Sequence, residues 1–94
     1  MNDVTIQHED NGSKGRYFIA IDGAEAEMTY TKVGNTQIII DHTHVADALR
    51  GRHLGEALVL RAVEDARAAG KRIIPLCPFA KAQIEKHAEW QDVL

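Results

Sequence analysis

The chain has 94 residues, 45% of them apolar and 27% charged, with a formal charge of −3 at neutral pH. A chain of this length makes one small domain (1–94) with a single core, needing no metal or disulfide staple and burying about 60% of its unfolded surface. The acidic balance argues against a nucleic-acid partner, the mixed signs against disorder, and the lack of a long apolar run against a membrane span.

Val4, Ile6 and His8 alternate with polar residues as in an edge strand, and Asn11 to Gly15 marks a turn. Arg16 to Ile21 is rich in β-formers and ends at Asp22-Gly23, a dipeptide favoured in tight hairpins. Glu25 to Lys32 alternates in part and stops at Gly34-Asn35. Thr36 to Val45 contains Ile38-Ile39-Ile40, the pattern of a strand buried on both faces. Together these segments predict a four-stranded antiparallel meander.

The period then changes. Leu54, Leu58, Val59, Ala62, Val63, Ala66 and Ala69 recur at helical spacing, with Glu56, Arg61, Glu64, Asp65 and Arg67 off the stripe. Gly70 suits the helix's left-handed end and Lys71 its negative pole. Arg72 to Cys77 reads as a short apolar strand, so a helical crossover joins the fourth and fifth strands and predicts that they are parallel. Pro78 opens a second helix with Phe79, Ala80 and Ile84 on its apolar side, and Trp90 and Leu94 are expected to fold back onto the core. The fold class is α/β: meander, helix, parallel fifth strand, second helix.

Ligands of such units bind beyond the carboxyl ends of the parallel strands, beside helix N-termini. Here that place holds Arg50-Gly51-Arg52-His53-Leu54-Gly55-Glu56. The first helical amides lack acceptors and favour an anion, Gly55 allows close approach, and Arg50 and Arg52 add positive charge. The same residues also fit a plain helix entrance. Neither a Walker loop nor a dinucleotide fingerprint is present.

The segment Arg50 to Gly55, after a strand and opening an amphipathic helix, resembles the acetyl-CoA motif Gln/Arg-x-x-Gly-x-Gly/Ala of the GNAT acetyltransferase superfamily. His53 stands where that motif has its first glycine. The resemblance extends to a very small GNAT-like subgroup without the usual N-terminal helices. His42-Thr43-His44-Val45, Pro75-Leu76-Cys77-Pro78-Phe79 and His87-Ala88-Glu89-Trp90 follow its three motifs in order, with His44 replacing glutamate and Ala88 replacing proline. It implies an acetyl-CoA-dependent N-acetyltransferase of GNAT-like fold, acting on a small-molecule or protein amine. In this reading Val45, Arg50, Gly51, Arg52, His53, Leu54, Gly55, Glu56 and Ala57 hold the cosubstrate, and the amides from Arg52 through Ala57 take its pyrophosphate. The alternative is a CoA-binding regulatory module with little or no catalysis.

Cys77 falls at the expected N-cap of the second helix, where the dipole favours a thiolate; a buried, inert cysteine fits the same pattern. The resemblance implies that Cys77 lies near the acetyl thioester as a candidate nucleophile. His42 and His44 share one face of a regular strand, and beside a parallel fifth strand one of them can approach Cys77 as a proton acceptor. No recognised zinc-ligand spacing links these residues, so no metal is expected. The lone cysteine and the polar start Met1 to Thr5, which is no secretory leader, point to the reducing cytoplasm.

Overall fold

The computed structural model describes residues 5–94. Strands β1 (Gln7–Asp10), β2 (Lys14–Ile21), β3 (Ala24–Val33) and β4 (Gln37–Val45) form an antiparallel meander, and β5 (Arg72–Pro75) joins β4 in parallel. Helix α1 (Leu54–Ala69) is the crossover, and α2 (Pro78–Lys86) follows β5. Short 3-10 segments occupy Asp47–Leu49 and Ala88–Val93. The class and the order of elements are those expected from sequence. Val4, placed in the expected first strand, lies outside the described residues. Among these residues no helix is long and apolar enough to cross a membrane.

Local chemistry explains the boundaries. Asp22 and Gly23 both take positive φ (50° and 81°), the geometry that turns β2 tightly into β3. Gly70 ends α1 at φ 69°, its N–H meeting the Arg67 carbonyl (3.2 Å) while Lys71 N–H meets that of Ala66 (2.8 Å). The apolar stripe of α1 then packs on one sheet face. Leu58, Val59, Ala62 and Val63 are wholly buried against Ile19, Met28, Ile38, Ile40 and Ile73, and Ala80 and Ile84 of α2 complete the same core. Ala69, expected on that stripe, is exposed.

Both helices therefore share a face, and the other face is polar. Arg16 there meets Glu9, Glu25 and Glu27 at 2.9, 3.0 and 2.7 Å, with its guanidinium 3.9 Å over the Phe18 ring. Ile39 points that way and is only half-buried, which corrects the expectation of a strand covered on both sides. The tail also differs in one residue. Trp90 and Val93 enter the core, whereas Leu94 stays 43% exposed. Arg67 holds this tail with paired bonds to Asp92 (2.8 and 2.7 Å) and one to the Glu89 carbonyl (2.8 Å).

Toward the C-terminal end of α1 a cavity of about 220 Å³ is walled by His8, Tyr17, Tyr30 and Asp65. Its polar groups satisfy one another. Tyr17 donates to Asp65 (2.8 Å), Tyr30 donates to Asp10 (2.8 Å), and His8 Nε2 lies 2.5 Å from the Tyr30 hydroxyl. Burial first, then the bond to a carboxylate, pushes both phenols well above the usual tyrosine range. A folded-state pKa raised in this way gives stability that is complete below the unfolded value of about 10 and lost as pH rises past it. The melting temperature is expected to fall above pH ~10, and to fall less steeply in Tyr17→Phe, in thermal melts taken across that range.

Candidate active site

The two parallel strands part early. β4 pairs with β5 only from Gln37 to Ile40, opposite Arg72 to Pro75. The last bond across is Cys77 N–H to the Ile40 carbonyl (3.1 Å). Beyond it β4 runs on through Val45 with no fifth-strand partner, while β5 ends and the backbone turns away into α2. The result is an opening between the strand ends, with the start of each helix beside it.

Cys77 is the N-cap of α2 in extended geometry (φ −69°, ψ 121°), as a residue before proline prefers. It is 5% exposed, and its thiol donates to Thr43 Oγ1 across the opening at 3.4 Å. The reason Thr43 faces inward is a bulge. The β3–β4 register slips between Thr29 and Tyr30, so Thr29 faces His42 while Tyr30 faces Ile40, and Asp41 is the extra residue. One inserted residue reverses the alternation of everything after it. Ile38 and Ile40 point to the helices; without the bulge His42 and His44 would follow them.

Instead His42 and His44 stand exposed on the opposite face, with their rings stacked at 6.3 Å, and Thr43 takes the inward place between them. The expectation that one of these histidines approaches Cys77 is thereby corrected.

The turn before α1 is held by backbone geometry. Gly51 has φ 83° and His53 has φ 59°, ψ 28°, both left-handed. His53 thus takes a left-handed conformation of the kind glycine adopts without strain. A side chain there costs of the order of 1 kcal/mol, and a β-branched one more. His53→Val is expected to lower stability by about 1–2 kcal/mol, whereas His53→Gly should hold or raise it, as read by urea melts.

Helical bonding starts with Ala57 N–H to the His53 carbonyl (3.1 Å), so the amides of Leu54, Gly55 and Glu56 precede the ladder. Ala57, expected among the phosphate-binding amides, has its N–H already committed. Arg50 is exposed and pairs with Asp47 at 3.1 Å. Leu54 is buried and pins the helix start to the core.

Gly55 has a packing reason. A Cβ built on it would stand 2.8 Å from the Phe79 ring, so α2 leans on α1 here. Between the turn and α2 runs a groove of about 300 Å³, which Val45, Arg50, Gly51, His53, Leu54, Gly55 and Glu56 line from one side. Phe79, Gln83 and Lys86 line it from the other. Arg52 and Ala57, also expected to contact the cosubstrate, do not line it. Glu56 is the one acid on this wall. His87, stacked on Trp90 at 3.8 Å, sets its Nε2 3.6 Å from the Glu56 carboxylate.

The family model for GCN5-related N-acetyltransferases matches residues 16–93. The chain belongs to that family. This GCN5-related N-acetyltransferase is similar, at 40% identity and TM-score 0.76, to a GCN5-like protein from Staphylococcus aureus solved by NMR, covering 99% of this chain and 89% of that one. It also shares a fold (TM-score 0.65, 12% identity) with the ribosomal-protein-alanine N-acetyltransferase of Brucella melitensis biovar Abortus 2308, covering 82% of this chain and 62% of that one. Comparison with curated proteins finds no match. Membership carries the enzymatic one of the two functional readings: the protein is an acyltransferase.

Sequence reasoning missed Thr43, because nothing in Ile40-Asp41-His42 announces a bulge. It placed Phe79 on the apolar side of α2, yet Phe79 is 39% exposed and faces the groove. A signal existed in the spacing of Phe79, Gln83 and Lys86, which puts all three on one stripe of α2.

Proposed function

We propose that this chain transfers an acetyl group from acetyl-CoA to an amine, with the thioester lying in the opening where β4 and β5 part beyond Ile40. One observation carries the reading: the opening, with its buried thiol, lies close to a groove bordered by the first amides of α1. An anion placed on the amides of Leu54, Gly55 and Glu56 meets the positive end of the helix, and Arg50 adds charge beside it. A pantetheine arm running from there toward Cys77 has the free edge of β4 available for its amides.

In the covalent route, Cys77 Sγ attacks the thioester carbonyl after giving up its proton. The carbon–sulfur bond to CoA breaks, the CoA thiolate takes up a proton, and the acetyl group rests on Cys77. The amine then attacks this second thioester and loses a proton, returning the cysteine. One thioester replaces another, so the first transfer is close to balanced. Thr43 supports it by hydrogen-bonding the sulfur. In the direct route, the amine attacks acetyl-CoA from the uncovered sheet face, where His42 and His44 are exposed and His42 can take the proton. On this reading the two mechanisms use opposite faces of β4, because the bulge at Asp41 turns Thr43 inward and His42 outward. The uncovered face admits amines carried by peptides as well as small ones.

Acetyl-CoA is expected to raise the melting temperature, since it binds only the folded chain. Release of free CoA with a panel of small amines and lysine peptides then reports transfer. No thermal shift and no calorimetric binding at millimolar acetyl-CoA would remove the reading.

A further inference from the structure

His87 is the C-cap of α2, its N–H meeting the Ile84 carbonyl at 3.2 Å. Its ring lies on Trp90 with centroids 3.8 Å apart and planes 19° from parallel. Trp90 is itself buried in the core, so the imidazole is fixed by its backbone and by the stack. Each ring nitrogen then faces a carboxylate from a different element. Nε2 is 3.6 Å from Glu56 in the first turn of α1, and Nδ1 is 3.4 Å from Glu89 in the 3-10 tail. Nε2 is buried and has no hydrogen-bond partner. A neutral imidazole carries one N–H and would set a lone pair against one of the two acids, whereas an imidazolium offers a donor to both.

Glu56 is the acid that matters for an anion. It lines the groove, and its own amide is one of those that precede the helical ladder of α1. A carboxylate in the first turn of a helix is drawn to the same free N–H groups and positive dipole end that an incoming phosphate needs. Left unheld, it competes for those amides and repels the phosphate. Lys86, the cation next to His87 in sequence, is exposed on the opposite wall of the groove.

We propose that His87 is a positioning residue for the acyl donor: as an imidazolium it holds the Glu56 carboxylate off the α1 amides and offsets its charge, leaving them to the pyrophosphate. The inference rests on the acetyl-CoA reading above and deepens it. His87 does not line the groove, so it acts through Glu56 and not on the donor itself. Glu89 accepts from Nδ1 and fixes which edge of the ring faces Glu56.

The test is calorimetric binding of acetyl-CoA at low ionic strength to His87→Phe, which keeps a ring to stack on Trp90 and removes both nitrogens. Affinity is expected to fall by about three- to fivefold, the effect of one exposed charge. In a Glu56→Gln background, which keeps the α1 amides and removes the competing charge, the same change at residue 87 should cost less than about twofold. Near 1 M salt, where screening acts within about 3 Å, the loss with Glu56 present should shrink likewise. Thermal melts check that each variant folds, and His87→Gln, a polar side chain at a helix end, gives the same reading where His87→Phe does not. Equal losses in the two backgrounds would show His87 acting through the fold alone and overturn the proposal, as would full affinity in His87→Phe. Acetyl-CoA would remain the donor in both cases. Absence of acetyl-CoA binding by the unaltered protein would take both readings down.

Discussion

Cys77→Ala is expected to abolish acetyl transfer while leaving CoA affinity almost unchanged. The sulfur is the only heavy atom removed, and Cys77 does not line the groove proposed for the phosphates. Losing a covalent nucleophile costs several orders of magnitude in kcat, since the residual rate comes from binding and orientation alone. Cys77→Ser is a sharper test, because it keeps the size and the contact with Thr43 but offers a far weaker nucleophile. Incubation with acetyl-CoA and no acceptor should leave an acetyl mass on a peptide containing Cys77 in the unaltered protein. Normal turnover by Cys77→Ala would exclude the covalent route and leave direct attack from the His42 face. The small volume lost makes misfolding a mild risk. Cys77 belongs to the same core cluster as fully buried Ala80 and Ile84, and trimming a sulfur there costs less than the removal of a large aliphatic side chain.

The elements of this fold were legible because each has a chemical signature. Asp22-Gly23, the change of period at Leu54, Gly70 and Pro78 each mark a boundary that backbone sterics enforce. The parallel pairing of β4 with β5 followed from a crossover helix that leaves no other short path. What could not be read was anything that depends on register. A bulge at Asp41 needs no glycine and leaves no trace in a run of nine strand residues, yet it decides that Thr43 and not His42 meets Cys77. Coverage was equally hidden. Ile38-Ile39-Ile40 reads as a strand buried on both faces, but whether a second layer exists depends on helices elsewhere in the chain, and here both lie on one side.

His53 shows a third kind of limit. Sequence marks it as a departure from the glycine of the motif, and geometry shows that it adopts a left-handed form open to glycine without strain. The backbone path of this turn is therefore set by Gly51, the buried anchor Leu54 and the contact of Gly55 with α2.

Gly55→Val is expected to lower stability and CoA affinity together, and Phe79 is the reason. A Cβ at this position stands 2.8 Å from the ring, inside any van der Waals separation, so the ring must swing into the groove. Overpacking of this kind costs about 1–3 kcal/mol, reduced here because the ring is part-exposed and because valine is the better helix former. The melting temperature should fall by roughly 4–8 °C for each kcal/mol lost in a domain this small. Phe79→Leu separates the two possible reasons for the glycine. In Gly55→Val/Phe79→Leu the space returns, and stability is expected to recover by a coupling of about 0.5–3 kcal/mol relative to the sum of the single changes. CoA affinity should stay below that of Phe79→Leu alone, because the valine still stands beside the first amides of α1 and keeps the pyrophosphate at a distance. Recovery of affinity along with stability would show that Gly55 serves the contact between the helices alone. In that case the phosphates would have to be held by Gly51, His53 and the amides beyond reach of the valine.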